Sequence, residues 1–92
     1  MIDPKNLMAI FKRAILYTSL KDYPKAESDY SKYLLLDRSS AFVWSNRALI
    51  FQAQGRTQEA LSDLNTALKV DPLYEQALIS RAKLLLSEKQ YD

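Results

Sequence analysis

The sequence predicts an all-α protein built as a stack of antiparallel helix pairs, and three observations carry that expectation. A single Gly in 92 residues, beside three Pro, argues against a turn-rich β protein, because hairpins and tight bends draw on Gly wherever φ must be positive. Apolar residues recur at helical spacing, as Trp44, Ala48 and Phe51 do at i, i+4 and i+7. The chain also matches itself at a shift of 34 residues. Laying 7–40 on 41–74 gives seven identities in 34: Arg13/Arg47, Ala14/Ala48, Ala26/Ala60, Ser28/Ser62, Asp29/Asp63, Leu34/Leu68 and Asp37/Asp71. Unrelated sequences give about two. A shift of 68 adds seven identities in only 18, from Ala9/Ala77 and Arg13/Arg81 to Tyr23/Tyr91. The organisation is therefore one segment over 1–92, with repeat 1 at about 7–40, repeat 2 at about 41–74 and half of a third at about 75–92.

Five helices follow in order. The first spans about 4–20, with Asp3-Pro4 as a cap and first-turn proline. A second, over about 23–37, opens on the same chemistry at Asp22-Tyr23-Pro24. The third covers about 40–54 and stops at Gly55, which suits a C′ residue of positive φ. Ala60, Leu64, Ala67 and Leu68 give the fourth, about 58–70, its apolar stripe, and Asp71-Pro72 closes it. The fifth runs over about 74–87, and Ser87 to Asp92 matches the start of the turn that follows Leu20.

Composition bounds the function. Thirteen Lys and Arg against 11 Asp and Glu leave +2, too little and too scattered for a nucleic-acid or membrane-surface patch. Without Cys or His, thiol, imidazole and most zinc chemistry is absent, and no cofactor or metal is expected. No Gly-rich phosphate loop or nucleophile with a base appears, so an enzyme is not expected. The tyrosines fall at core spacing with no basic stripe beside them, which argues against nucleic-acid stacking. No apolar run is long enough for a bilayer and no signal-peptide pattern opens the chain, so a cytoplasmic location is expected.

The second unit reads Trp44-x2-Arg47-Ala48-x2-Phe51, then Ala60-x3-Leu64, Ala67 and Pro72, and it resembles the tetratricopeptide repeat (TPR). The first unit keeps Ala14, Tyr17, Ala26 and Tyr30 but has Tyr33 and Arg38 where that family prefers Ala and Pro; the third keeps Ala82 and Leu85. The resemblance implies a right-handed superhelix whose inner wall is built from the first helix of each unit, and a protein-interaction scaffold that binds a peptide or amphipathic helix. Small residues such as Ala48 and Ala60 let helices approach, while Trp44, Phe51 and Leu64 fill the neighbouring holes.

Carrying the family's groove-facing positions onto this chain gives Met8, Phe11 and Ile15, then Phe42, Ser45, Asn46 and Leu49, then Gln76, Ile79 and Lys83. Ser45-Asn46-Arg47-Ala48 is similar to the second repeat of co-chaperone TPR domains that clamp the C-terminal carboxylate of Hsp70 or Hsp90. The other four clamp positions fall on Phe11, Ile15, Gln76 and Ser80, so only Asn46 of the five remains, and tail binding is disfavoured. Arg13, Arg47 and Arg81 recur in register with Asp29 and Asp63 and are read as structural ion pairs rather than a ligand ladder. Leu84, Leu85 and Leu86 lack a covering helix. The chain is accordingly expected either to be a fragment of a longer protein or to self-associate as a homodimer through that last helix, the alternative function being a structural solenoid segment without a groove ligand.

Overall fold

The computed structural model describes residues 6–89, which form five α-helices and no strand: α1 (Leu7–Ser19), α2 (Tyr23–Leu36), α3 (Ala41–Ala53), α4 (Thr57–Val70) and α5 (Glu75–Lys89). The first helix starts later than the sequence suggests. Its cap is Asn6, whose side chain accepts from the Ala9 N–H at 3.0 Å; the expected Asp3-Pro4 cap lies outside the described residues. Asp22 and Ser40 cap α2 and α3 in the same manner, accepting from Lys25 and Val43. The turn expected from Ser87 is helix through Lys89, and the rest of that turn lies outside the described residues.

Each helix packs mainly on the next, in the order α1, α2, α3, α4, α5, which stretches the molecule to 48 × 27 × 17 Å. The all-α superhelix of helix pairs follows from this offset stacking. The core runs along the stack: Ala14, Ala26 and Tyr30 in the first pair, Trp44, Ala48, Phe51, Ala60 and Leu64 in the second. Because α3 is covered by α2 on one side and α4 on the other, it buries residues around most of its circumference, Val43, Ser45, Ala48, Ile50 and Phe51 among them. Ala82, in register with Ala14 and Ala48, is exposed because no helix follows α5 among the described residues.

The two turns between paired helices share a backbone. Residue 21 precedes residue 55 by one repeat, and Lys21 holds φ +59° where Gly55 holds +75°. Both turns are closed by the same pair of bonds, Asp22 N–H to Tyr17 C=O and Arg56 N–H to Phe51 C=O among them.

Candidate peptide-binding groove

The face shared by α1, α3 and α5 carries most of the predicted groove residues. At its α1 end, Leu7, Met8, Phe11, Tyr33, Ser40, Phe42 and Val43 line a cleft of about 440 Å³. Phe11 is its hub: its ring meets Phe42 at 5.6 Å, Tyr33 at 6.2 Å and Tyr30 at 6.5 Å between centroids, the last two edge-on. At the α5 end, Glu75, Gln76, Ile79, Ser80 and Lys83 line a second, more polar hollow of about 490 Å³. Ile15 and Leu49, one repeat apart, are exposed between these ends.

Two placements differ from expectation. Ser45 is fully buried, not groove-lining, because α3 has neighbours on both sides; its hydroxyl has no hydrogen-bond partner among the described residues. Tyr33 lines the cleft from outside the set of groove positions expected from the sequence. The available signal was its size, since its counterpart one repeat later is the buried Ala67. Asn46 is half-buried and its amide donates to the Tyr30 hydroxyl at 3.4 Å. Burial raises the Tyr30 hydroxyl above the ordinary tyrosine value, against the opposing hydrogen bonds of Thr18 and Asn46.

The repeated arginines stand between the helices of each pair. Arg13 Nε and Nη2 each lie 2.7 Å from the two Asp29 oxygens, a bidentate fork. That hydrogen bond, ahead of the opposing desolvation, raises the Arg13 guanidinium above its ordinary value. Arg47 grips Asp63 with the same two nitrogens at 2.7 and 2.8 Å, and its Nη1 donates to Ser31 of the preceding pair at 3.1 Å. Arg81 breaks the series. Its Nη1 donates to Asn65 at 3.0 Å, the counterpart of the Ser31 bond, and it meets no carboxylate among the described residues. The ion pair expected of Arg81 is thus not among those the described residues form.

Other charges are engaged locally. Arg56 joins Glu27 at 2.7 Å and Glu59 at 2.6 Å and lies 4.4 Å over the Phe51 ring, tying α2 to α4. This hydrogen bond holds the Glu59 carboxyl below its ordinary range. Of the proposed dimer surface, Leu85 and Leu86 are exposed but Leu84 is buried, since it repeats Ile50 and packs backward toward α4. Among the described residues no group of His, Cys, Asp and Glu is placed to hold a metal, and no helix is long and apolar enough to cross a membrane.

Comparison with known proteins agrees with this geometry. The tetratricopeptide repeat profile matches residues 41–74. Human tetratricopeptide repeat protein 6 is 39% identical over 89 residues, covering 97% of this chain and 17% of its own length. The small glutamine-rich tetratricopeptide repeat-containing protein 2 of Mycosarcoma maydis is 34% identical over 73 residues, 79% of this chain and 21% of that protein. The chain thus spans about a fifth or less of these curated relatives. Among solved structures, the first TPR of Spaghetti (RPAP3) bound to an HSP90 peptide superposes with a TM-score of 0.87 at 29% identity, over 95% of this chain and 69% of that one. The TPR2B domain of yeast Sti1 in complex with an Hsp70 peptide gives 0.85 at 26%, over 92% and 68%. With the profile on the second helix pair, the same pair recurring before it and this shared superhelix, the chain belongs to the tetratricopeptide repeat family.

Proposed function

We propose that this chain is a non-catalytic interaction segment that takes a peptide or amphipathic helix of another protein along the α1, α3 and α5 face. The membership and the peptide-bound neighbours support a protein-protein interaction role. The observation that carries the finer reading is the Phe11 cleft, an open apolar hollow of side-chain size with exposed Met8 and Phe42 at its rim. Ile15, Leu49 and Ile79 continue the apolar row toward Lys83. Apolar side chains of the ligand seat at the α1 end, and Asn46, whose carbonyl oxygen is not engaged by Tyr30, accepts from its backbone.

A chaperone tail is the less favoured ligand. A terminal carboxylate needs converging positive donors, and Phe11, Ile15, Gln76 and Ser80 place none where the resembling domains hold them. The experiment is selection of binders from a displayed peptide library by the immobilised chain. Selected sequences should carry two or more large apolar residues, bind about ten-fold or more weakly to the Phe11→Glu variant at unchanged helicity, and outcompete SRMEEVD. Binders that tolerate Phe11→Glu together with Asn46→Ala remove the groove as the site.

A further inference from the structure

We infer that Tyr30, beneath the groove and out of a ligand's reach, is a positioning residue that holds the Asn46 amide with its nitrogen inward and its oxygen outward. The groove thereby selects a ligand with an N–H to donate over one that offers a carboxylate, an inference that rests on the α1, α3 and α5 face being the peptide site.

The directions follow from the far end of a hydrogen-bond chain. A backbone carbonyl can only accept, and the Thr18 hydroxyl gives its one proton to Ala14 C=O at 2.8 Å. Thr18 is also a hydrogen-bond partner of Tyr30. With its own proton committed, Thr18 Oγ1 accepts there, so the Tyr30 hydroxyl proton points to Thr18. The Tyr30 oxygen is left to accept, and it does so from Asn46 Nδ2 at 3.4 Å. Each bond sets the next, and the last decides the flip of an amide whose two ends are alike in shape.

The outward oxygen meets the groove. Phe42, Asn46 and Leu49 stand at i, i+4 and i+7 of α3, and Phe42 and Leu49 are exposed there. Asn46 Oδ1 has no partner among the described residues and is not sealed in as the Ser45 hydroxyl is. It can take an N–H from a peptide, whereas a carboxylate brings only acceptors.

This device is not a demand of the repeat. One unit later, Thr18, Tyr30 and Asn46 become Gln52, Leu64 and Ser80. Leu64 is as fully buried as Tyr30, so an apolar side chain satisfies the packing, and the hydroxyl at Tyr30 serves something else. Tyr30 also meets Phe11 edge-on at 6.5 Å, so one buried residue of α2 supports groove groups on both α1 and α3.

The test starts without ligand, by NMR of the 92-residue chain. The Asn46 Nδ2 protons should show NOEs to the Tyr30 ring and exchange with water about five-fold or more slowly than those of exposed Asn65. Tyr30→Phe, which keeps the ring, should abolish this protection at unchanged helicity. So should Thr18→Val, which keeps the Tyr30 hydroxyl and removes its acceptor. A second arm takes the tightest peptide from the displayed library and methylates each backbone nitrogen in turn. One methylation should weaken binding to the wild-type chain about five-fold or more, and Tyr30→Phe should shrink that penalty to within about two-fold, while Phe11→Glu weakens every copy alike. Unprotected Asn46 protons, protection that survives both substitutions, or a penalty that Tyr30→Phe leaves unchanged overturns the proposal even where peptides still seat on Phe11. A library whose binders ignore Phe11→Glu sinks the groove reading, and the selectivity with it, whatever the Asn46 protons show.

Discussion

Lys21 and Gly55 occupy the same turn one repeat apart, and both hold the left-handed backbone, at φ +59° and +75°. Only one of them suits it. A side chain with a Cβ is strained at positive φ by about 1 kcal/mol, whereas Gly is not. Lys21→Gly should therefore raise stability by no more than about 0.5 kcal/mol, after the greater chain entropy of Gly, about 0.4–1 kcal/mol, is subtracted. Gly55→Ala should lower it by about 1 kcal/mol through φ alone, because an added Cβ there meets nothing within 4 Å. Urea midpoints of the two variants check both signs.

The ion pairs differ in depth. Arg47 is 20% exposed at its side chain and Arg13 34%, so removing the acid leaves Arg47 the more poorly hydrated cation. Asp63→Ala should cost about 3 kcal/mol and Asp29→Ala less. Replacing both partners, Arg47→Met with Asp63→Leu, should recover most of the loss, as measured in a double-mutant cycle.

Close approach of the paired helices gives a third test. Ala48 is buried at the α3 crossing, and Ala48→Leu should overpack it by about 1–3 kcal/mol. Ala82→Leu, identical in register but exposed, should stay within about 0.5 kcal/mol. Equal losses in thermal unfolding would show that position in the repeat, and not coverage, sets the tolerance.

Alkaline pH should weaken the fold through Tyr30. Its folded value lies above the ordinary value of about 10, so the folded chain keeps a proton that the unfolded chain loses. This contribution is complete below pH 10 and declines as pH rises past it. Tyr30→Phe, which removes the titrating hydroxyl, should flatten that part of the curve in urea titrations between pH 8 and about 11.

Much of this arrangement is legible from residues alone, because recurrence reports pairing. Arg13 with Asp29 and Arg47 with Asp63 repeat at 34, and the fork geometry follows; Gly55 announces its own turn. What escapes is coverage, which depends on how many neighbours a helix has. Ser45 reads as groove-facing by register but is sealed between α2 and α4, while Ala82 reads as core and is bare. Leu84 belongs with Ile50, whose side packs on the previous pair, and not with Leu85 and Leu86. Tyr33 entered the cleft through bulk at a position where the second unit has Ala67, a departure from pattern that marks the site better than agreement does.

Packing passes from each helix to the next along 48 Å without closing on itself, the geometry of an open coil. A tilt of a few degrees at each of the four successive contacts adds up to a change of pitch while every contact stays intact. A load on either end of such a stack is shared among the successive contacts instead of falling on one of them.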